Sequence, residues 1–341
     1  MLEIDKSKVD FLVTASMVQE VKDILSRNLP QVKKIVDEIL PRGIERVYFV
    51  ACGSPLSAAA TAAGLFDIYS RVVCKSYSGY DFLDATPAKL DRNCLVIGIS
   101  QYGKTEEVIQ SLILAKYKGA ATVAVTKSAE NPVAQVTDYV VAYHAEAIWE
   151  AHLLVTYAFA YEIISRLETD TREITQIYEQ LHQLPPLLEK LVNGYEEIGR
   201  KLGEQASRYP FIYSVAAGPL LPLAYKEGII SLLEFTWTHG SVLNAPEFRH
   251  GPLEVVEAGV PYIFLVGTDG SRHTTLRALN FCRRYSSDVI VFDYADLGEG
   301  LHPMLAPFVM FVPLEWFCYY LSIYKDHNPD DRRYYGGLVE Y

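Results

Sequence analysis

The sequence predicts an α/β fold built from two copies of one layered unit, each a mainly parallel sheet flanked by helices. Three observations predict it. Short apolar, β-rich runs alternate with helical patterns through the first half, the rhythm of a doubly wound sheet. One of these runs, 94–99 (CLVIGI), is apolar without interruption and suits a strand buried on both faces. Finally, FIYSVAAGPLLPLAYKEG in the second half resembles VYFVACGSPLSAAATAAG in the first; Tyr48 and Tyr213 are 165 residues apart, and so are Gly53 and Gly218.

The elements follow in order. A helix is expected over about 16–40, with Ser16 able to cap it. A strand at 46–51 runs through a Gly-Ser-Pro turn into an Ala-rich helix over 56–69, and a strand follows at 72–77. The 94–99 strand ends at Ser100 and leads to a helix over 104–117, with further strands at 121–125 and 139–142. From 148 to 207 the pattern is helical, broken at Pro185 and Pro186, and the connection between domains is expected within 170–200. The rhythm restarts at Phe211, with strands at 262–266, 288–292 and 308–312. The stretch 305–324 is apolar enough to raise the question of a membrane span, but Pro307, Pro313 and Glu315 interrupt it; it reads as a buried strand followed by a helix opening at Pro313. These elements divide the chain into a helical lead (1–29), a first domain (30–175) and a second domain with a C-terminal tail (176–341).

Composition narrows the function. Half of the 341 residues are apolar and the formal net charge is −11. That charge argues against nucleic acid and against an anionic membrane surface as partners. A small anion remains possible, because a local loop can hold phosphate with backbone N–H groups. The five cysteines are odd in number and show no CxxC spacing, which reads as reduced, buried thiols in a cytoplasmic protein. The opening MLEIDKSKVDF is too charged for a signal peptide. No histidine shows metal-ligand spacing, so neither metal nor cofactor is expected.

Two places carry candidate chemistry. The first is Ser100-Gln101-Tyr102-Gly103-Lys104-Thr105, between a buried strand and a helix. Ligands of such sheets bind at the carboxyl ends of strands, helix N-termini offer unpaired N–H groups, Gly103 allows close backbone approach, and Ser100 and Thr105 add hydroxyls. The same residues could instead form a plain N-cap. Gly53 and Ser54 end a strand that could lie beside this one. There is no GxxxxGK[ST] and no GxGxxG, against a nucleoside triphosphate or dinucleotide. The second place holds Glu234, at a helix end between apolar neighbours where a raised pKa is expected, and His250, in an Arg-His-Gly-Pro loop with Glu247 and Glu254 nearby. Each is eligible for acid/base work; each could also be an ordinary surface or packing residue.

Together, Ala51-Cys52-Gly53-Ser54, Ser100 to Thr105 and Glu247-Phe248-Arg249-His250-Gly251-Pro252 resemble sugar isomerase (SIS) domains, over about residues 30–341. They are similar to the double-SIS isomerase half of glutamine–fructose-6-phosphate aminotransferase. The segments LLEFTWTHG, EFRHGPLE and the 325–341 tail look more like fructoselysine-6-phosphate deglycases and related deglycases of phosphorylated Amadori products. The resemblance implies two tandem SIS domains. It also implies proton transfer by Glu234 and His250, and substrate binding by Gly53, Ser54, Ser100, Gln101, Tyr102, Gly103, Thr105 and Glu247. The implied reaction converts a 6-phosphorylated Amadori product and water to glucose 6-phosphate and a free amine such as lysine. A glucoselysine 6-phosphate substrate, or a sugar-phosphate isomerase or amino-sugar-phosphate deaminase, would use the same enolisation chemistry; a non-catalytic sugar-phosphate sensor would lack it. A homodimer or larger homo-oligomer is implied as well. Two departures stand out: Tyr102 replaces a serine of the aminotransferase loop, and a ring-opening lysine near that family's C-terminus has no match in Tyr334-Tyr335-Gly336-Gly337-Leu338.

Overall fold

The computed structural model describes residues 1–12, 14–285, 288–334 and 338–340. The chain divides into two compact units, residues 16–185 and residues 1–15 with 186–341.

The first unit opens with α1 (Thr14–Ile39), whose buried Met17, Val21, Ile24, Val32, Val36 and Ile39 recur at helical spacing. The helix starts two residues before Ser16, which therefore lies in the first turn and not at the cap position. Then come β1 (Arg46–Ala51), α2 (Ser54–Tyr69), β2 (Val73–Tyr77), α3 (Gly79–Asp84), β3 (Cys94–Ile99), α4 (Glu106–Tyr117), β4 (Ala121–Thr126), β5 (Tyr139–Ala142), α5 (Ile148–Leu167) and α6 (Arg172–Gln180). The strands form one parallel sheet in the order β2-β1-β3-β4-β5. Every residue of β3 and β4 is buried, the pattern of strands covered on both faces. The outer strand β5 is sealed by α1: Arg27, Asn28 and Gln31 donate to the carbonyls of Tyr143, Ala142 and Val140.

A buried histidine gives this unit a pH signature. His152 in α5 has no exposed surface; its Nε2 meets the Tyr143 hydroxyl at 3.0 Å, and its Nδ1 has no partner among the described residues. Burial lowers its pKa from 6.5 to about 3. Between these values the unfolded chain binds a proton that the folded chain does not, so stability falls as pH drops from 6.5 towards 3. The loss is about 1.4 kcal/mol per pH unit, or about 2 kcal/mol at pH 5. His152→Gln should flatten the wild-type decline in urea midpoint between pH 7 and 5; an identical decline in both proteins would refute the assignment.

The second unit contains α7 (Leu184–Gly194), α8 (Glu196–Ala206), β6 (Phe211–Ala216) and α9 (Leu221–Tyr225), which runs directly into a π-helix, Lys226–Phe235. It continues with β7 (His239–Asn244), β8 (Tyr262–Val266), α10 (Arg272–Tyr285), β9 (Val289–Asp293), α11 (Tyr294–Leu297) and α12 (Ala306–Tyr324). Its parallel sheet has the order β7-β6-β8-β9, matching β2-β1-β3-β4 of the first unit strand for strand. Gly53 and Gly218 both adopt positive φ (65° and 54°), so the repeated Gly marks the same backbone need twice.

One expectation is overturned here. Residues 308–312 are not a strand: α12 is one helix from Ala306, with Pro307 in its first turn and Pro313 inside it. An apolar run buried all round carries no periodicity, and its length is the better guide. Proline inside is tolerated because α12 is held by close packing on α8, where a Cβ on Gly199 would come within 2.7 Å of Trp316 Cβ and one on Gly203 within 2.6 Å of the Leu321 nitrogen. The fourth strand is instead β7, whose HGSVLN sequence lacks a β-type pattern. Pro185 and Pro186 mark a break in the helical run, as expected: α6 ends at Gln180, a 3-10 turn spans Leu181–Gln183, and the two prolines lie in the first turn of α7.

Candidate functional site

In a sheet ordered 2-1-3-4-5 the chain reverses direction between β1 and β3, and the crevice beyond their carboxyl ends is the usual ligand position. The register pairs Ala51 with Ile99, which sets Cys52-Gly53-Ser54 beside Ser100. Ser100 Oγ and Thr105 Oγ1 lie 2.9 Å apart. Thr105 occupies the N-cap position of α4 but its side chain makes no capping bond. The hydroxyl faces across the loop, not back onto the helix, so the plain-cap reading does not describe this turn.

The loop is tied from behind. Gln101 O accepts from Lys127 N (2.9 Å), Thr126 Oγ1 (3.0 Å) and Asn131 Nδ2 (3.1 Å), and Gly103 O accepts from Val133 N (3.0 Å). Gly103 has φ 62°, and a Cβ there would come within 2.6 Å of Asn131 Cβ. Tyr102 is exposed, with the Lys127 ammonium 5.9 Å from its ring centre and Lys127 paired to Glu146. Cys52 donates its thiol to Glu107 at 3.2 Å, and burial pushes the thiol up to about 11, which keeps it protonated and unreactive at neutral pH. All five cysteines are free.

The second unit has the same switch point, between β6 and β8, but it is filled. Asp269 Oδ1 accepts from Ser271 N at 2.8 Å, and a Cβ on Gly218 would meet Ser271 Oγ at 2.7 Å and Asp269 Oδ1 at 2.8 Å. An anion entering there would meet a carboxylate. The two copies therefore differ: the loop after β3 brings the Ser100 and Thr105 hydroxyls together, whereas the turn after β8 places Asp269 beside Gly218.

Glu234 sits near the end of the π-helix, one third exposed at its side chain. It is not caged by apolar groups as its sequence neighbours suggested. Arg332 Nε donates to its Oε1 at 3.0 Å, and the guanidinium lies over Phe235, 4.4 Å from the ring centre. His250 is exposed in the loop after β7; its backbone N–H bonds to Glu247 O at 2.8 Å, and Arg249 Nε approaches its Nε2 at 3.2 Å. Glu247 and Glu254 are exposed in the same loop. Among the described residues, no hydrogen bond or ion pair joins Glu234 to His250. Their carriers do meet: a Cβ on Gly240 in β7 would fall 2.2 Å from Gly228 O in the π-helix, and one on Gly228 would fall 2.6 Å from Ser241 O. The helix with Glu234 thus rests directly on the strand that leads to His250.

Arg332 and Lys127 escaped the sequence reading. Arg332 contacts a residue 98 positions away, and Lys127 is one cation among many until β4 is placed. Tyr335-Gly336-Gly337, where the expected lysine has no match, lie outside the described residues.

Comparison with known proteins places this geometry. The SIS domain model matches residues 42–166. Over all 341 residues, covering both chains completely, the sequence is 59% identical to fructoselysine 6-phosphate deglycase of Escherichia coli (strain K12). It is 30% identical to fructosamine deglycase of Bacillus subtilis (strain 168), covering 89% of this chain and 95% of that protein. The fold is shared with the C-terminal domain of glucosamine-fructose-6-phosphate aminotransferase from Francisella tularensis, with a TM-score of 0.81, 19% identity, and coverage of 96% of this chain and 100% of that one.

Proposed function

The chain belongs to the fructoselysine 6-phosphate deglycase family of SIS-domain proteins, and we propose on that premise that it converts a 6-phosphorylated Amadori product and water to glucose 6-phosphate and a free amine. The observation that carries the reading, beside full-length identity, is the β1/β3 cradle with its paired hydroxyls and backbone Gly103, which suits a phosphate.

In the proposed mechanism the phosphate rests on the Ser100–Thr105 loop with Gly53, Ser54, Gln101 and Tyr102. Glu234 removes a proton from C1, which lies between the amine and the C2 ketone. The C1–H electrons form the C1=C2 bond of an enaminol as the carbonyl oxygen gains a proton. Protonation of C2 then draws the nitrogen lone pair into a C=N bond. Water adds at C1, the C–N bond breaks, and the amine leaves with a proton. No electron is gained or lost overall. His250 carries protons to and from the sugar oxygens, and Glu247 shares its loop as a substrate contact.

The exposed apolar side chains Tyr225, Leu233, Trp237 and Val255 support a homo-oligomer, and five free thiols suit a reducing cytoplasm. Neither nucleic acid nor membrane fits the −11 charge as a partner.

The experiment follows glucose 6-phosphate and lysine together after addition of fructoselysine 6-phosphate. Equal release of both is expected. Ammonia release would make the enzyme a deaminase. Faster turnover of glucoselysine 6-phosphate would move the substrate to that isomer. No product from either adduct would sink the reading.

A further inference from the structure

We propose that Arg332 is a positioning residue that aims the Glu234 carboxylate; this rests on the reading of Glu234 as the proton-transfer group. The residues after α12 form a strap against the end of the π-helix. Asp330 accepts from the backbone N–H groups of Asp10 and Phe11 at 2.7 and 2.8 Å, and Phe11 packs its ring on Phe235 with centroids 4.7 Å apart. Ser322 Oγ donates to Phe235 O and to His327 O, at 3.0 and 2.7 Å. The His327 ring stacks on Trp237 at 3.7 Å, and the Arg333 guanidinium lies 3.9 Å from the same indole. Trp237 itself has φ 49°, a strained conformation that this packing holds in place.

The strap fixes Arg332. Its Nη1 donates to Pro329 O at 2.7 Å and Asp331 O at 3.0 Å, which leaves Nε facing Glu234 Oε1. Among the described residues, His327, Asp330, Asp331 and Arg333 make no bond to Glu234, so Arg332 is the one cation on it. Glu234 Oε2 has no partner among the described residues and is the oxygen left for substrate. One oxygen is anchored and the other is presented.

The test compares kcat, KM and melting temperature for Arg332→Ala, Arg332→Lys and Asp330→Ala in the full chain. A misaimed base costs rate, so Arg332→Ala should lower kcat about 10–100-fold with little change in KM. Arg332→Lys should recover part of the loss, and millimolar guanidinium added to Arg332→Ala should recover part as well. Asp330→Ala, which keeps the arginine but loosens the strap, should also lower kcat. Wild-type kcat in Arg332→Ala overturns the proposal. So does a loss that tracks a lowered melting temperature and responds to neither lysine nor guanidinium. Glu234→Gln run in parallel separates the two readings: normal turnover there removes Glu234 itself, whereas an inactive Glu234→Gln beside a normal Arg332→Ala removes only the role of Arg332.

Discussion

Glu234→Gln is expected to lower kcat on fructoselysine 6-phosphate by about 10²–10⁴-fold, the usual worth of a positioned acid or base. KM should change little, because the proposed phosphate contacts are made by Ser100 to Thr105, which the substitution leaves untouched. The substitution preserves size and can still accept a hydrogen bond from Arg332 Nε, which now bonds Oε1 at 3.0 Å. What it removes is the capacity to accept the C1 proton. His250→Ala is expected to lose rate too, but with a different signature. In the proposed mechanism His250 handles protons on sugar oxygens, so its loss should be milder on a substrate already in open-chain form. Steady-state kinetics on both variants, with a deuterium label at C1, checks the assignment. In His250→Ala the isotope effect should survive on the open-chain substrate and shrink on the cyclic one. Near-normal turnover in both variants would remove the acid/base assignment.

Gly103→Ala should act on binding. The residue needs φ 62°, and its new Cβ would press within 2.6 Å of Asn131 Cβ and 2.9 Å of Val133 Cγ1. A non-glycine residue forced into this region costs on the order of 1–3 kcal/mol. The loop can relieve that strain only by moving Gly103 O from Val133 N or by turning Ser100 and Thr105 out of register. Loss of one charge-assisted hydrogen bond to phosphate costs about 1.5–3 kcal/mol, equivalent to a rise in KM of about 10–100-fold. Inorganic phosphate should lose its protection of the protein against thermal unfolding in parallel. If KM and phosphate protection stay at wild-type values, the phosphate does not rest on this loop.

The sheets were legible because their strands advertise themselves. Cys94–Ile99 and Tyr262–Val266 are wholly apolar and wholly buried, and few other structures bury a run of that length. β7 was not legible, because an edge strand of His, Gly and Asn owes its conformation to pairing with β6 rather than to its own residues. α12 was misread since Phe308, Val309, Phe311 and Val312 favour a strand locally and Pro313 suggests a helix start, whereas the run is buried all round and continues one helix to Tyr324. The phosphate loop could be seen because its parts are contiguous. The setting of Glu234 could not: Leu233 and Phe235 flank it in sequence, but Arg332 bonds it in space. Asp269 likewise became informative only once β6 and β8 defined a second crevice.

The close seat of the π-helix on β7 has a consequence for how such an enzyme can change. Gly228 and Gly240 carry no reactive group, and each lies ten or fewer positions from Glu234 or His250. Any side chain at either one would wedge the helix off the strand and separate the base-bearing end from the histidine loop. A substitution at either glycine is therefore expected to disturb Glu234 and His250 without touching them, at a joint that contains no functional group.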